Sequence, residues 1–265
     1  MKAFFVLLAA GAVMLAQTPP PAKSAQPAPK TATPAAPAAN PLLHPETLKG
    51  RAPDTFKAKF TTTKGDFVVE VHRAWSPNGA DRFYNLVKYH YFNNNAFFRV
   101  LPGFIAQFGM APDPKVGAAW DNATIKDDPV RPDIHNSKGT MVYAKPNAPN
   151  ARSNQIFINL ADNNRSLDAP IQQGFTPFGE ITEGMDIVLS LYSGYGEGAD
   201  GGGHGPTQER IGKEGKPYLD KNFPKLDSIK TAVIMPADAA ATPAPATKST
   251  APAAKSATPA PAVKK

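Results

Sequence analysis

Hydrophobic and polar residues alternate with a period of two along several short stretches, and the turns between them carry Gly, Pro or Asn. Phe56 to Thr62 alternates, Lys64-Gly65 turns the chain, and Asp66 to His72 alternates again. That pattern predicts a hairpin with one buried face. Ser76-Pro77 then supplies an N-cap and a proline at the first helical position, and Phe83, Leu86, Val87 and His90 recur at helical spacing. A helix from about Asn78 to Tyr89 follows, broken at Asn93-Asn94-Asn95. Further strands are predicted at Gly139 to Ala144, Gln155 to Leu160, Phe175 to Ile181 and Lys225 to Ile234. A second helix is predicted over Glu183 to Tyr192. Ala111 to Lys138 reads as a long surface loop holding a short strand or turn, and the glycine-rich Ser193 to Gly215 as a mobile loop. Mostly antiparallel strands with two helices point to a closed barrel, which removes free sheet edges.

The central stretch is Phe97 to Gly109, two apolar runs joined at Pro102-Gly103, with Arg99 on one run and Gln107 on the other. Pro102 suits a type I or II turn, whereas two-residue hairpins favour the primed types, so the spacing favours a longer loop. Register decides the chemistry. A three-residue loop Pro102-Gly103-Phe104 sets Leu101 opposite Ile105 and Arg99 opposite Gln107, whereas a two-residue loop parts the cation from the amide.

Composition changes the picture at the ends. Proline and alanine concentrate in Gln17 to Pro41 and in Pro236 to Lys265, leaving one body from Leu42 to Met235. Residues 17–41 and 236–265 read as disordered arms, either spacers or solubilising tails. The net charge of +7 belongs mostly to these ends, and the body keeps only +1. No Arg/Lys stripe with interleaved aromatics marks a nucleic-acid surface. Residues 1–16 begin Met1-Lys2 and continue in apolar or small residues from Ala3 to Ala16, the form of a signal peptide cleaved after Ala12 or after Ala16. The run is too short to span about 30 Å of hydrocarbon. The expectation is a periplasmic or secreted bacterial protein, monomeric, with no membrane span once the signal is removed.

Most catalytic chemistries lack their parts here. Cysteine is absent, which excludes disulfides and thiolate metal sites. The histidines His44, His72, His90, His135 and His204 never approach metal-ligand spacing. Asp162, Asn164 and Ser166 begin like a calcium loop, but Leu167 stands where a Gly is needed and Gln173 where the closing Glu belongs. No nucleophile elbow surrounds Ser153 or Ser166, and no phosphate-binding glycine loop is present. Gly196, Gly198 and Gly201 imitate a dinucleotide fingerprint without a strand before or a helix after. No metal and no cofactor is expected.

The central stretch resembles the signature of the cyclophilin family of peptidyl-prolyl cis-trans isomerases, Phe-His/Phe-Arg-x-x-Pro-x-Phe-x-x-Gln-x-Gly. Further matching blocks lie at Asn154 to Asn159 and at Phe178-Gly179-Glu180. The resemblance covers about Phe56 to Met235 apart from the glycine segment. It implies a closed eight-stranded antiparallel β-barrel capped by two helices, and rotation of Xaa-Pro bonds in extended or unfolded polypeptides. Arg99 and Gln107 would be catalytic. Phe104, Ile105, Phe157, Leu167 and Phe175 would wall the proline pocket, with Ala144, Lys145 and Gln155 meeting the peptide backbone. The rival reading is a non-catalytic peptide-binding or chaperone module using the same groove. Arg99 and Gln107 favour catalysis, because binding alone does not require that cation. A purely structural envelope protein is a third reading.

Some positions depart from the best-known members. Ile105 replaces a usual Met and Phe175 a frequent His or Tyr, both remaining apolar, while Lys145 replaces an Asn. Ser166 stands where cyclosporin-sensitive eukaryotic members carry Trp. Weak cyclosporin binding is therefore expected, and titration calorimetry returning a submicromolar Kd would contradict it.

Overall fold

The computed structural model describes residues 40–168 and 175–237. The signal peptide, nearly all of the two arms, and Gln173 therefore lie outside the described residues. Eight antiparallel strands form one curled sheet: β1 (Thr55–Thr62), β2 (Asp66–His72), β3 (Arg99–Leu101), β4 (Ile105–Phe108), β5 (Thr140–Tyr143), β6 (Ile156–Asn159), β7 (Gly179–Glu183) and β8 (Ile229–Ile234). Their order is β3-β4-β6-β5-β7-β2-β1-β8. Among the described residues no ladder joins β3 to β8. The curl instead brings the ends together through one bridge, Ala96 to Ser228, flanked by the Phe97 N–H on the Asp227 carbonyl at 2.9 Å and the Ile229 N–H on the Asn95 carbonyl at 2.8 Å.

Alternation builds this sheet. In β1 the side chains of Phe56, Ala58, Phe60 and Thr62 are buried while those between them are only partly covered. Phe60 lies opposite Phe67 of β2, their rings stacked at 4.9 Å. Phe83, Phe92, Phe97, Phe108 and Phe178 complete an aromatic core inside the curl, all of them fully buried. Helix α1 (Pro77–Lys88) lays Ala80, Phe83, Leu86 and Val87 on this core. His90, expected on the same face, is instead exposed at φ +60°, past the helix end.

The remaining helices are more numerous than the two the periodicity predicts. They are α2 (Pro114–Asp121), α3 (Asn164–Leu167), α4 (Met185–Leu189), α5 (Gln208–Glu214) and α6 (Lys216–Asn222). The second predicted helix shrinks to α4, because Gly184 at φ +77° starts it late and Ser190 closes it. The expected loop 111–138 contains α2, where the Asp113 carboxylate accepts the Lys115 N–H at 2.8 Å and Pro114 occupies the first turn. Its Trp120 is fully buried and donates from Nε1 to the Leu42 carbonyl at 2.8 Å. The body therefore begins earlier than Leu42, since the Asn40 side chain caps a 3-10 turn over Pro41–Leu43.

The glycine-rich stretch is not an open loop. A 3-10 turn covers Ala199–Gly201, and α5, which the sequence pattern did not predict, fills the end of the stretch. Together α5 and α6 bury Ile211, Tyr218 and Leu219 against Phe98, which leaves β3's approach on the side opposite Phe97.

Capping of α1 also differs from expectation. Ser76 makes no side-chain cap; its hydroxyl donates to Asp128. The Asp128 carboxylate receives the Asn78 and Gly79 N–H groups, each at 2.9 Å, so a residue from a distant loop neutralises the positive end of the helix. The same carboxylate pairs at 3.0 Å with Arg152, whose side chain is fully buried. Arg152 also donates to the Lys126 carbonyl and lies 3.3 Å from Asp127. Removing one partner of such a cluster strands a buried charge. Asp128→Ala is expected to cost about 3–5 kcal/mol in urea unfolding.

A second anchor ties the segment before β1 to α1. Asp81 accepts a fork from Arg73, at 2.8 and 2.9 Å, and the Ala52 N–H at 2.8 Å. Partial burial works to raise its pKa, but these three donors outweigh it and hold Asp81 below the ordinary 3.8. A folded-state pKa below the unfolded one gives stability that is present above 3.8 and disappears as pH falls through the lowered value. Melting curves of wild type and Asp81→Asn are thus expected to differ at neutral pH and to converge under acid.

Candidate active site

The hairpin β3-β4 turns through Pro102, Gly103 and Phe104, with Gly103 at φ +73° and the Phe104 N–H on the Leu101 carbonyl at 3.0 Å. Leu101 faces Ile105 and Arg99 faces Gln107, the register of the three-residue loop. Pairing of β4 with β6 and of β6 with β5 extends that line. Arg99, Gln107, Phe157 and Val142 form one cross-strand row. Their neighbours in sequence, Val100, Ala106, Phe108, Ile156, Ile158, Met141 and Tyr143, belong to the aromatic core. The period of two thus gives the sheet a filled inner face and an outer one that carries the candidate site.

Ile105, Val142 and Phe157 form a small apolar cluster on that outer face, with Phe104, Ala144, Leu167 and Phe175 packed around it. Apart from Val142, these residues bound a recess of about 250 Å³, which Arg99, Gln107 and Lys145 also reach. Gln155 instead lines an adjoining recess of about 560 Å³, to which Gln107, Ala144, Lys145, Asp121 and Gln208 also contribute. All ten residues expected from the sequence therefore border one of two neighbouring recesses. One of them points its charge elsewhere. The Lys145 ammonium is buried, donating to Asp127 at 3.0 Å and to the Ala148 carbonyl at 3.2 Å, so Lys145 offers the groove its backbone and stem.

The apolar walls are fixed by an amide network that sequence reasoning did not single out. Asn163 donates to the Phe104 carbonyl at 2.8 Å and to Asn159 at 2.7 Å. Asn136 donates to the Phe175 carbonyl at 3.0 Å and to Asp168 at 2.6 Å, while Asn159 donates to Asn136 at 3.2 Å. Buried amides are costly unless satisfied, so this network ties two aromatic walls to β6.

The polar end of the site is a continuous chain of hydrogen bonds. Arg99 donates from Nη1 to Gln107 Oε1 at 3.1 Å, Gln107 from Nε2 to Gln155 Oε1 at 2.9 Å, and Gln155 from Nε2 to Gln208 Oε1 at 2.9 Å. On its other side Arg99 meets Glu197, with Nε to Oε1 and Nη2 to Oε2 both at 2.6 Å. The Arg99 guanidinium holds the Glu197 carboxyl below the usual carboxylate range. Glu197 and Gln208 both come from the glycine-rich segment, and the sequence carried one usable sign of order there. Glu209 with Lys213, Arg210 with Glu214 and Lys216 with Asp220 repeat opposite charges at four-residue spacing, a helical signal.

Among the described residues no three His, Cys, Asp or Glu side chains converge as metal ligands, and no helix is long and apolar enough to cross a membrane. The site's chemistry is one cation paired with a carboxylate, and several amides, beside an apolar recess.

The model of the cyclophilin type peptidyl-prolyl cis-trans isomerase/CLD family matches residues 57–211. A peptidyl-prolyl cis-trans isomerase of Acinetobacter baylyi is 31% identical over 127 residues, 48% of this chain and 66% of that protein. Peptidyl-prolyl cis-trans isomerase B of Escherichia coli is 30% identical over 132 residues, 49% of this chain and 79% of that protein. The crystal structure of a cyclophilin type isomerase from Cryptosporidium parvum aligns with a TM-score of 0.48 and 19% identity, covering 69% of this chain and 98% of that one. A family match over more than half of its length, on a sheet that sets Arg99 and Gln107 side by side, makes this chain a member of the cyclophilin-type peptidyl-prolyl cis-trans isomerase family.

Proposed function

We propose that this protein rotates Xaa-Pro peptide bonds in extended or unfolded polypeptides outside the cytoplasm, in the periplasm or the medium, with Arg99 and Gln107 as catalytic residues. The observation that carries the assignment is the cross-strand row. It sets a guanidinium at the rim of an apolar recess walled by Phe104, Ile105, Phe157, Leu167 and Phe175. The compartment rests on residues 1–16.

The chemistry required is modest in kind. The barrier to rotation, about 18–20 kcal/mol, comes from delocalisation of the imide nitrogen lone pair into the carbonyl. As the bond twists the lone pair returns to nitrogen and becomes an acceptor. A guanidinium N–H aimed at that nitrogen gains strength only in the twisted state, which is the condition for lowering the barrier. The proline ring seated on Ile105 and Phe157 fixes one side of the bond. Gln107 and Gln155 present amides to the backbone on the other, so the two ends are held while the bond between them turns. No proton is transferred and no covalent intermediate forms.

Arg99 cannot supply the whole acceleration. A charge-assisted hydrogen bond is worth about 1.5–3 kcal/mol, roughly 10- to 100-fold in rate, and the remainder comes from a preorganised, water-poor recess.

Arg99→Ala in the full chain is expected to lower kcat/KM by roughly 10- to 100-fold without unfolding the protein. A protease-coupled assay on several Xaa-Pro peptides, beside a melting curve, measures both. A folded wild type that binds these peptides without turning them over would make the domain a recognition module. Phe157→Ala is expected to act mainly on KM, because it opens the floor of the recess while leaving the cation in place; steady-state kinetics with the same peptides separates the two effects.

A further inference from the structure

Glycine density in the segment 194–205 is usually a sign of slack chain, but here Gly201, Gly203 and Gly205 pack closely against one acidic residue, Glu197. Gly196, at φ +61°, precedes Glu197, and Gly198 follows it. The Gly205 N–H donates to the Glu197 carbonyl at 2.7 Å, and Gly198 bridges Gly205 in parallel. A Cβ on Gly203 or Gly205 would collide with that carbonyl, and one on Gly201 with the Glu197 side chain. The carboxylate is also held by its own loop, since Oε1 accepts the Gly198 N–H at 3.0 Å. Tyr195 packs edge-on against Phe223, at 5.1 Å, which seats the loop on α6. These contacts make the segment a bracket around Glu197.

The bracket delivers its carboxylate to Arg99 as a planar fork with two bonds of 2.6 Å. The fork consumes the Nε proton and one proton on Nη2, and Gln107 takes one on Nη1. A guanidinium has five donors, so one proton on each Nη is left for substrate. An arginine side chain free to rotate would lose much of its rotamer entropy each time it met the twisting imide, whereas a bidentate partner bears that cost when the protein folds. A carboxylate is also the only partner type here that fixes both the plane and the rotation of the guanidinium, since Gln107 holds a single proton.

We propose that Glu197 is a positioning residue of the isomerase site: the glycine bracket presents its carboxylate so that Arg99 is held in the orientation that meets the imide nitrogen in the twisted state. The inference rests on the role given to Arg99 above. It assigns the glycine-rich segment to catalysis, as part of the active-site frame.

The test is kinetic and spectroscopic, on the full chain. Cis-trans exchange of a short Xaa-Pro-Phe peptide, followed by NMR, gives kcat and KM without a coupling protease. Glu197→Ala is expected to lower kcat about tenfold while KM changes less than about twofold, the mark of lost orientation. Glu197→Gln, which accepts a fork at only one oxygen, should fall between, and Glu197→Asp should recover part of the loss. In 15N spectra the Arg99 Nε–H, assigned by its absence in Arg99→Lys, is expected to be protected from solvent exchange in wild type and unprotected in Glu197→Ala. Folded Glu197→Ala and Glu197→Gln proteins with wild-type kcat would overturn the proposal. So would a raised kcat, which would make Glu197 a restraint, or a change confined to KM. Should Glu197→Ala fail to fold, the isosteric Glu197→Gln decides. An inactive wild type would instead overturn the isomerase reading itself, a result distinct from an active enzyme indifferent to Glu197.

Discussion

The three-residue turn between β3 and β4 is the constraint on which the site depends. Side chains on a strand alternate between faces, so one residue more or less in that turn would place Arg99 and Gln107 on opposite sides of the sheet. Gly103 permits the turn by accepting a positive φ at which a larger residue would be strained. Once Arg99 faces Gln107, the β4-β6 and β6-β5 ladders carry the register onward. Phe157 and Val142 then fall in the same row, and Ile105 comes to the same outer face two pairs away. A single local geometry thereby sorts polar donors and apolar floor onto one surface.

The aromatic core answers to the same alternation from the other side. Phe97 and Phe108 belong to the interior while Phe98 serves the cluster that seats α5 and α6. Their close packing leaves the strands little freedom to slide, and the outer row inherits that rigidity. Away from the hairpin, the walls of the recess belong to loops, and there satisfied amides replace strand pairing. Asn163 holds the Phe104 backbone and Asn136 the Phe175 backbone. Loops that would otherwise be free to move are thus tied to a sheet that is not.

Much of this was legible in the sequence because it rests on short-range rules. The strand pattern, α1 and the hairpin register follow from alternation, a proline at the first helical turn and the length of one loop. Alternation also pointed to a closed barrel, but among the described residues a single bridge between Ala96 and Ser228, not a ladder, links the β3 and β8 ends of the sheet. The α2 helix escaped notice because Val116 and Trp120 are its only large apolar residues, although Asp113-Pro114 is a readable start. Ser76 looked like the cap of α1, yet Asp128 caps it, and no local pattern could have named a partner so distant. The glycine-rich segment misled for a physical reason. Glycine marks either freedom or crowding, and composition does not distinguish them, whereas the three opposite-charge pairs at helical spacing did signal α5 and α6.

Crowding is the reading that fits the electrostatics. An arginine at the rim of an apolar recess, with its side chain mostly covered, loses hydration that a single amide does not replace. Gln107 satisfies one proton, and Glu197 supplies the opposing charge. The pairing also limits how strongly Arg99 grips a ground-state peptide, because part of its field is already spent on the carboxylate. What remains is directional: N–H groups held in a fixed plane, rewarding an acceptor that appears at one place along the reaction. A localised lone pair on a twisted imide nitrogen is such an acceptor, whereas a planar amide presents its acceptor at the carbonyl oxygen. On the role proposed for Arg99, restraint of the cation and selectivity for the twisted bond have a common origin in the fork.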